Sequence, residues 1–348
     1  VTSAEVARNR LGDTVLHQYV PLDLLPAVRR FLDYWQPDVA IGVESEIWPA
    51  TLMELHRRQI PQILVNGRLS DRSFARWRRY ASLAEEIFRN LALVIIAQSD
   101  VDAERFRDLG AWPVGISGNI KVDSDAPPCD EAVLARYMQQ IGTRKTWASI
   151  STFEGEEKIA AMVHRALKAH TGLLSIIVPR HPERSDEIEA MLVEKGLKVA
   201  RRTRGDVITP ETDVFLGDTI GEMGLYLRMT DIAFVGRSLS ADGGQNPLEP
   251  AMLGCAVLSG PQVSNFRESY QRLVRNGSAR IVRDAEMLAK AVHFLMTNDL
   301  ARTKMMEAGT ESMQEMRGAL TATLKALEPY ISPLSVKAKL EPRTASQS

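Results

Sequence analysis

Cysteine is nearly absent: 348 residues include only Cys129 and Cys255. Two thiols without metal-ligand spacing exclude a disulfide framework and suit a reducing compartment. Long apolar runs are missing as well. The best, LALVIIA at 91–97, has strand length, far short of the roughly 18 residues that a membrane span requires. Neither sign of charge is in excess. Lys and Arg number 43 against 44 Asp and Glu, a net charge of −1, so no global field draws the chain to nucleic acid or an anionic membrane. The histidines His17, His56, His164, His170, His181 and His293 show no metal spacing. No fixed-period repeat occurs.

What is present is the composition of a soluble globular protein, 45% hydrophobic and 25% charged. The length exceeds one ordinary domain, and two are expected. The first residue is Val1, which reads as a start part-way through a longer protein. Short β-branched runs alternate with amphipathic stretches, the pattern of βαβ units and parallel sheets. Strands are expected at TVLHQYV, DVAIGV, QILVN, LALVIIA and WPVGIS, with helices at 22–34, 49–58, 71–89 and 100–109. VDSDAPPCD then reads as a linker. The alternation restarts with TWASIST, LLSIIVP, LKVAR, DVFLG, DIAFVG, CAVLSG and SARIV, and a last helix is expected at 300–327. These readings divide the chain into a partial first domain at 1–123, a linker at 124–130, a second domain at 131–330 and a loose tail at 331–348. The expected fold class is α/β, two Rossmann-like domains with parallel sheets facing across a cleft.

In open parallel sheets ligands bind beyond the carboxyl ends of the strands, and four segments of the second half fall there. In ISTFEGEE, Ser151 or Thr152 can cap the next helix, with Glu154 or Glu156 closing a capping box. In VPRHPER, Pro179 ends a buried strand and Arg180 follows, placed either for a phosphate or for a surface ion pair. In LGDTIGEMGLY, Gly221 permits a close backbone approach before Glu222 and Met223; a plain loop-to-helix junction reads equally well. In GGQNPLEP, Asn246 suits an N-cap, Pro247 the first helical position and Glu249 the third, with Leu248 between them. A cap alone does not require Gly243 and Gly244, so a ligand approaching the backbone, with Glu249 accepting ribose hydroxyls, is the sharper reading.

In the first half, VESEIWP places Glu44 and Glu46 two apart at a strand end, on one face if the strand continues. They serve either proton handling or the helix dipole. NGRLSDRSFARWRRY is the basic stretch: Arg68, Arg72, Arg76 and Arg79 recur at helical spacing, interleaved with Phe74, Trp77 and Tyr80. It is either a solvated helix with an aromatic stripe or a surface for a phosphorylated, lipidic acceptor. Nucleic acid is disfavoured because the patch is confined to one helix. Lys121 in GNIKVD suits a departing phosphate. Asp123 and Asp125 read as a solvated turn rather than a metal pair.

Taken in order, ESEIWP, NGRLSDRS, GNIKVD, STFEGEE, PRHPER, GDTIGEM and GGQNPLEP resemble the bacterial 3-deoxy-D-manno-octulosonic acid (Kdo) transferases of lipopolysaccharide synthesis, across about residues 12–333. The resemblance implies the GT-B fold. It also implies inverting, metal-independent and cofactor-free transfer from the donor CMP-Kdo to the lipid A precursor (lipid IVA) at the cytoplasmic face of the inner membrane. Pro179, Arg180, Gly221, Glu222, Met223 and Asn246 to Glu249 are implied CMP contacts. Glu44 and Lys121 are implied transition-state stabilisers, with Glu46 in the same motif, and Arg68, Arg72 and Arg76 face the acceptor.

The resemblance further implies a hydrophobic anchor and a Gly-Glu motif carrying the general base ahead of Val1, so the first domain is expected to be incomplete. Phe153 stands where the family usually has His, and Arg237 where it usually has Gly. Two rivals remain. One is another GT-B nucleotide-sugar transferase or epimerase; the other is a non-catalytic CMP-sugar or lipid-binding protein.

Overall fold

Strands Gln62–Gly67 and Leu174–Pro179 are buried at every position, as strands must be when helices cover both faces of a parallel sheet. The computed structural model describes residues 4, 7–8 and 11–340. The described residues fall into two units, one within Val1–Ile120 and Leu320–Ser348, the other Lys121–Ala319. Among them no helix is long and apolar enough to cross a membrane.

In the first unit the described strands β1 (Ala40–Val43), β2 (Gln62–Gly67), β3 (Val94–Ala97) and β4 (Val114–Ile116) lie side by side in chain order, all parallel. Leu64, Ile95 and Ala97 pack with Phe88 and Phe106 on one face. The stretch 14–20, expected as a strand, forms none, and its Leu16, Tyr19 and Val20 are exposed. Its β-branched pattern finds no ladder to join, and strand propensity has effect only in that context. The expected helix at 71–89 is broken at Tyr80, whose ψ of 56° leaves the helical region.

The chain's last described helix, Ala319–Leu340, brings Leu327 and Tyr330 onto Ile63, Val65 and Ile96 of this unit. Residues 331–340 are therefore helical, not a loose tail; 341–348 lie outside the described residues. Pro329 and Pro333 sit inside the helix. A proline removes one donor and bends a helix without necessarily ending it.

In the second unit the described strands are β5 (Thr146–Thr152), β6 (Leu174–Pro179), β7 (Val199–Arg201), β8 (Val214–Leu216), β9 (Ile232–Val235), β10 (Ala256–Ser259) and β11 (Ala279–Ile281). They form one sheet in the order β11-β10-β9-β5-β6-β8-β7, parallel throughout. Strand alternation separates two cores. Ala148, Ile150, Ile176, Val178, Ala233 and Val235 face one way; Trp147, Ile177, Ile232 and Phe234 face the other. The order reverses between β5 and β9, which makes their carboxyl ends the topological switch point.

Helix Glu131–Ile141 was not anticipated. Asp130 caps it by accepting from the N–H groups of Ala132 and Val133, and Tyr137 and Ile141 are buried. Nor is the stretch before it a free linker. Arg228 donates to the Pro127 carbonyl at 2.7 Å, and a Cβ on Gly224 would lie 2.2 Å from the Pro128 carbonyl oxygen. The two units meet in sequence at Ile120 and Lys121, and Leu320 onward belongs with the first.

Candidate functional site

Because the seven strands are parallel, the loops after β5, β6, β8 and β9 all leave the same edge of the sheet. Glu156 organises it. Its buried carboxylate accepts the N–H groups of Phe153 (3.0 Å), Arg237 (2.6 Å), Ser238 (2.9 Å) and Leu239 (3.1 Å). The expected capping box is thus only half present. Glu156 does reach back to Phe153, but neither Ser151 nor Thr152 caps the helix Glu156–Thr171, and the carboxylate joins the β5 loop to the β9 loop. Thr152 instead donates to Glu157 at 2.9 Å.

Arg237 has φ 54°, a left-handed conformation that costs a side chain with a Cβ about 1–2 kcal/mol. A position that favours Gly carries Arg here without leaving the left-handed region. Its guanidinium carbon lies 5.0 Å from the centroid of the Phe153 ring. Phe153 and Arg237, the two residues expected to depart from the family pattern, are therefore in contact, a relation no local spacing announces.

Arg180 is exposed at the end of β6, its N–H bonded to the Thr152 carbonyl at 3.0 Å. Its motif companion Arg184 pairs with Glu157 at 3.1 Å. In the β8 loop, Gly221 is exposed with φ 86°. The Glu222 carboxylate is held by Arg202 (2.6 Å) and Thr219 (2.5 Å). Met223 packs against the core.

In GGQNPLEP, Gly243 and Gly244 have φ 115° and 69°. A Cβ on Gly243 would meet the Asn265 amide at 2.4 Å, and one on Gly244 would meet Val263 Cα at 3.0 Å. The positive φ at both positions and the 262–265 loop packed against them therefore favour glycine at each. Asn246 accepts the Leu248 N–H at 3.1 Å, and its amide reaches Glu249 Oε1 at 3.5 Å. Asn246 thus bonds the first turn from one residue earlier than expected: the short helix Leu248–Met252 has Pro247, not Asn246, at its N-cap.

Glu249 is partly buried behind that turn. Burial pushes its carboxyl above the ordinary value of 4.5, opposed by the Asn246 amide and by the Lys121 ammonium. Lys121 is exposed on the short turn Ile120–Asp123. The structure therefore brings within electrostatic reach two residues that 128 positions of sequence separate. Asp123 accepts the Gly318 N–H at 2.8 Å, a structural use for the first acid of the D-x-D pair. Among the described residues no group of three His, Cys, Asp or Glu has metal-binding geometry.

In the first unit Glu44 and Glu46 do not share a strand face, because β1 ends at Val43 and Glu44 turns at φ 62°. The turn is tied to the basic segment: Arg68 N–H donates to the Glu44 carbonyl at 3.2 Å, and Ser45 Oγ donates to the Arg68 carbonyl at 2.7 Å. Glu46 accepts the Trp48 indole N–H at 2.6 Å. Helix Asp71–Arg79, capped by Ser70, turns Phe74 and Trp77 to the core and leaves Arg72 and Arg76 exposed.

One buried cluster mimics a catalytic triad. His164 bonds Ser175 Oγ at 2.9 Å and Asp213 at 3.3 Å. Ser175 is fully buried in β6 and also accepts the Trp147 indole N–H at 2.7 Å. Burial holds the imidazole below its ordinary value, so it stays neutral and structural.

Residues 1–124 match the family described as 3-deoxy-D-manno-octulosonic-acid transferase (kdotransferase). The 3-deoxy-D-manno-octulosonic acid transferase of Haemophilus influenzae is 36% identical over 340 residues, 95% of this chain and 78% of that protein. The chain belongs to this family. Within the Kdo transferases, the C-terminal CMP-Kdo binding domain of WaaA from Acinetobacter baumannii has a structure similar to 53% of this chain and covers 97% of its own length, with 28% identity and a TM-score of 0.51. The S. aureus MnaA–UDP structure covers 86% of this chain and 80% of its own, with a TM-score of 0.56 at 14% identity. Likeness at that identity shows the fold, and the fold is GT-B.

Proposed function

We propose that this Kdo transferase moves Kdo from CMP-Kdo to the lipid A precursor in lipopolysaccharide synthesis. The observation that carries the reading is Glu249: a partly buried carboxylate, electrostatically coupled to Lys121 and presented beside the switch-point loops. The donor nucleotide is assigned to that edge, with Arg180 on its phosphate, the Gly221 to Met223 backbone and Asn246 to Leu248 along its side, and Glu249 on the ribose hydroxyls. A chain of 28% identity to a CMP-Kdo binding domain supports cytidine as the base.

An acceptor hydroxyl oxygen attacks the anomeric carbon and gives its proton to a general base. The bond to the CMP oxygen breaks, with the electron pair leaving on phosphate and the anomeric centre inverted. Arg180, Lys121 and the loop N–H groups meet the departing charge, so no metal is assigned a role. Glu44, supported in its turn by Arg68 and Ser45, is assigned to the acceptor side with Glu46. The exposed Arg72 and Arg76 are assigned to the acceptor's phosphates at the cytoplasmic face of the inner membrane.

The test is Kdo transfer from CMP-Kdo to tetra-acylated lipid A precursor by the full-length protein. Glu249→Ala is expected to cut transfer at least about tenfold, the loss of one good hydrogen-bonding carboxylate. Unchanged CMP affinity together with unchanged transfer would remove Glu249 from the site.

A further inference from the structure

The switch point between β5 and β9 is bordered by two side chains that the CMP motifs do not include. Phe153 follows β5 and Arg237 follows β9. Arg237 is locked where it stands: its N–H is bound by Glu156, its carbonyl accepts the Gly244 N–H at 2.9 Å, and φ is 54°. Its guanidinium carbon lies 5.0 Å from the Phe153 centroid, and the same ring meets His181 edge-on at 5.3 Å.

The stack holds the arginine but does not use its donors. Nε is buried without a hydrogen-bond partner, and among the described residues no carboxylate pairs with the guanidinium. In the same unit Arg184, Arg201, Arg202 and Arg204 each have an ion-pair partner, although the Nε of Arg202 is likewise buried without a bond. A strained backbone and unused donors at a switch point serve no purpose for packing alone, since Gly suits φ 54° better. An arginine held over an aromatic ring is pre-organised for an anionic oxygen.

We propose that Arg237, braced on Phe153, is a donor-binding residue that takes an anionic oxygen of the activated sugar at the β5–β9 switch point. The oxygen belongs either to the phosphate or to the sugar carboxylate; the chemistry is shared. The assignment rests on the CMP-sugar reading above. It would be particular to this chain if, as the resemblance implies, the family usually has Gly at the position.

The test uses the full chain and isothermal calorimetry with wild type, Arg237→Gly and Arg237→Lys. Cytidine, CMP, and the Kdo acid or its methyl ester added to the CMP complex are the probes. Arg237→Gly is expected to melt no lower than wild type, while losing about tenfold in affinity for an anionic probe, the scale of one charge-assisted contact. Loss for CMP but not cytidine assigns the phosphate; loss for the Kdo acid but not its ester assigns the carboxylate. Arg237→Lys is expected to recover part of the loss. CMP and Kdo-acid affinities within about twofold of wild type in Arg237→Gly overturn the proposal alone. Wild-type protein that binds UDP and not CMP overturns the functional reading beneath it.

Discussion

Glu156 Oε2 accepts the backbone N–H of Arg237 at 2.6 Å, a bond between residues 81 positions apart that fixes the β9 loop to the β5 loop. The same carboxylate serves Phe153, Ser238 and Leu239. Removing it strands buried donors, each costing about 1–3 kcal/mol. Glu156→Ala is expected to destabilise the protein by about 4 kcal/mol and Glu156→Gln by about half of that, since Gln keeps one acceptor oxygen. Urea unfolding measures both. A loss below about 1 kcal/mol for the alanine variant would mean that water replaces the carboxylate.

Glu249 predicts a pH dependence of definite sign. Its carboxyl is raised in the folded protein by burial, so between its ordinary and raised values the folded state binds more protons than the unfolded one. Its contribution to stability therefore falls as pH rises through that window, and the ionised, buried form is a cost at neutral pH. Glu249→Gln is expected to melt above wild type near neutral pH, with the advantage vanishing below the ordinary value of 4.5. The same variant is expected to bind CMP more weakly. A melting difference that does not change with pH contradicts the account of this carboxylate.

Arg72 and Arg76 project from a helix whose aromatic face is already satisfied. The double change to Glu is expected to alter stability by no more than about 0.5 kcal/mol, as exposed positions do. Binding to vesicles carrying phosphorylated lipid A precursor is expected to fall about tenfold, and wild-type binding to weaken with added salt. Vesicle flotation reads both. Unaltered binding in the double variant would return the helix to a purely solvated role.

Much of the α/β architecture is legible along the chain because parallel strands are apolar runs bounded by turns and charges. LLSIIVP and DIAFVG announce β6 and β9 for that reason. TVLHQYV carries the same local pattern and fails, because a strand also needs a neighbour. The stretch past Pro333 lacks local periodicity and the helix Glu131–Ile141 follows a stretch that reads as a linker, so neither helix is announced.

In the site, the motifs at β-strand ends were visible, while partnerships across the sheet order were not. Glu156 with Arg237, and Lys121 with Glu249, join residues that nothing local relates. Gly243 and Gly244 taught the opposite lesson. Their presence is visible in the sequence, but the 262–265 loop packed against them is not.

The account stands most directly on which nucleotide the second unit holds. Calorimetric titration of CMP and of UDP into the wild-type protein and Arg180→Ala measures it. The expected result is CMP binding without UDP binding, weakened about tenfold or more by Arg180→Ala through loss of a charge-assisted phosphate contact. UDP binding without CMP binding, or CMP binding indifferent to Arg180, contradicts it.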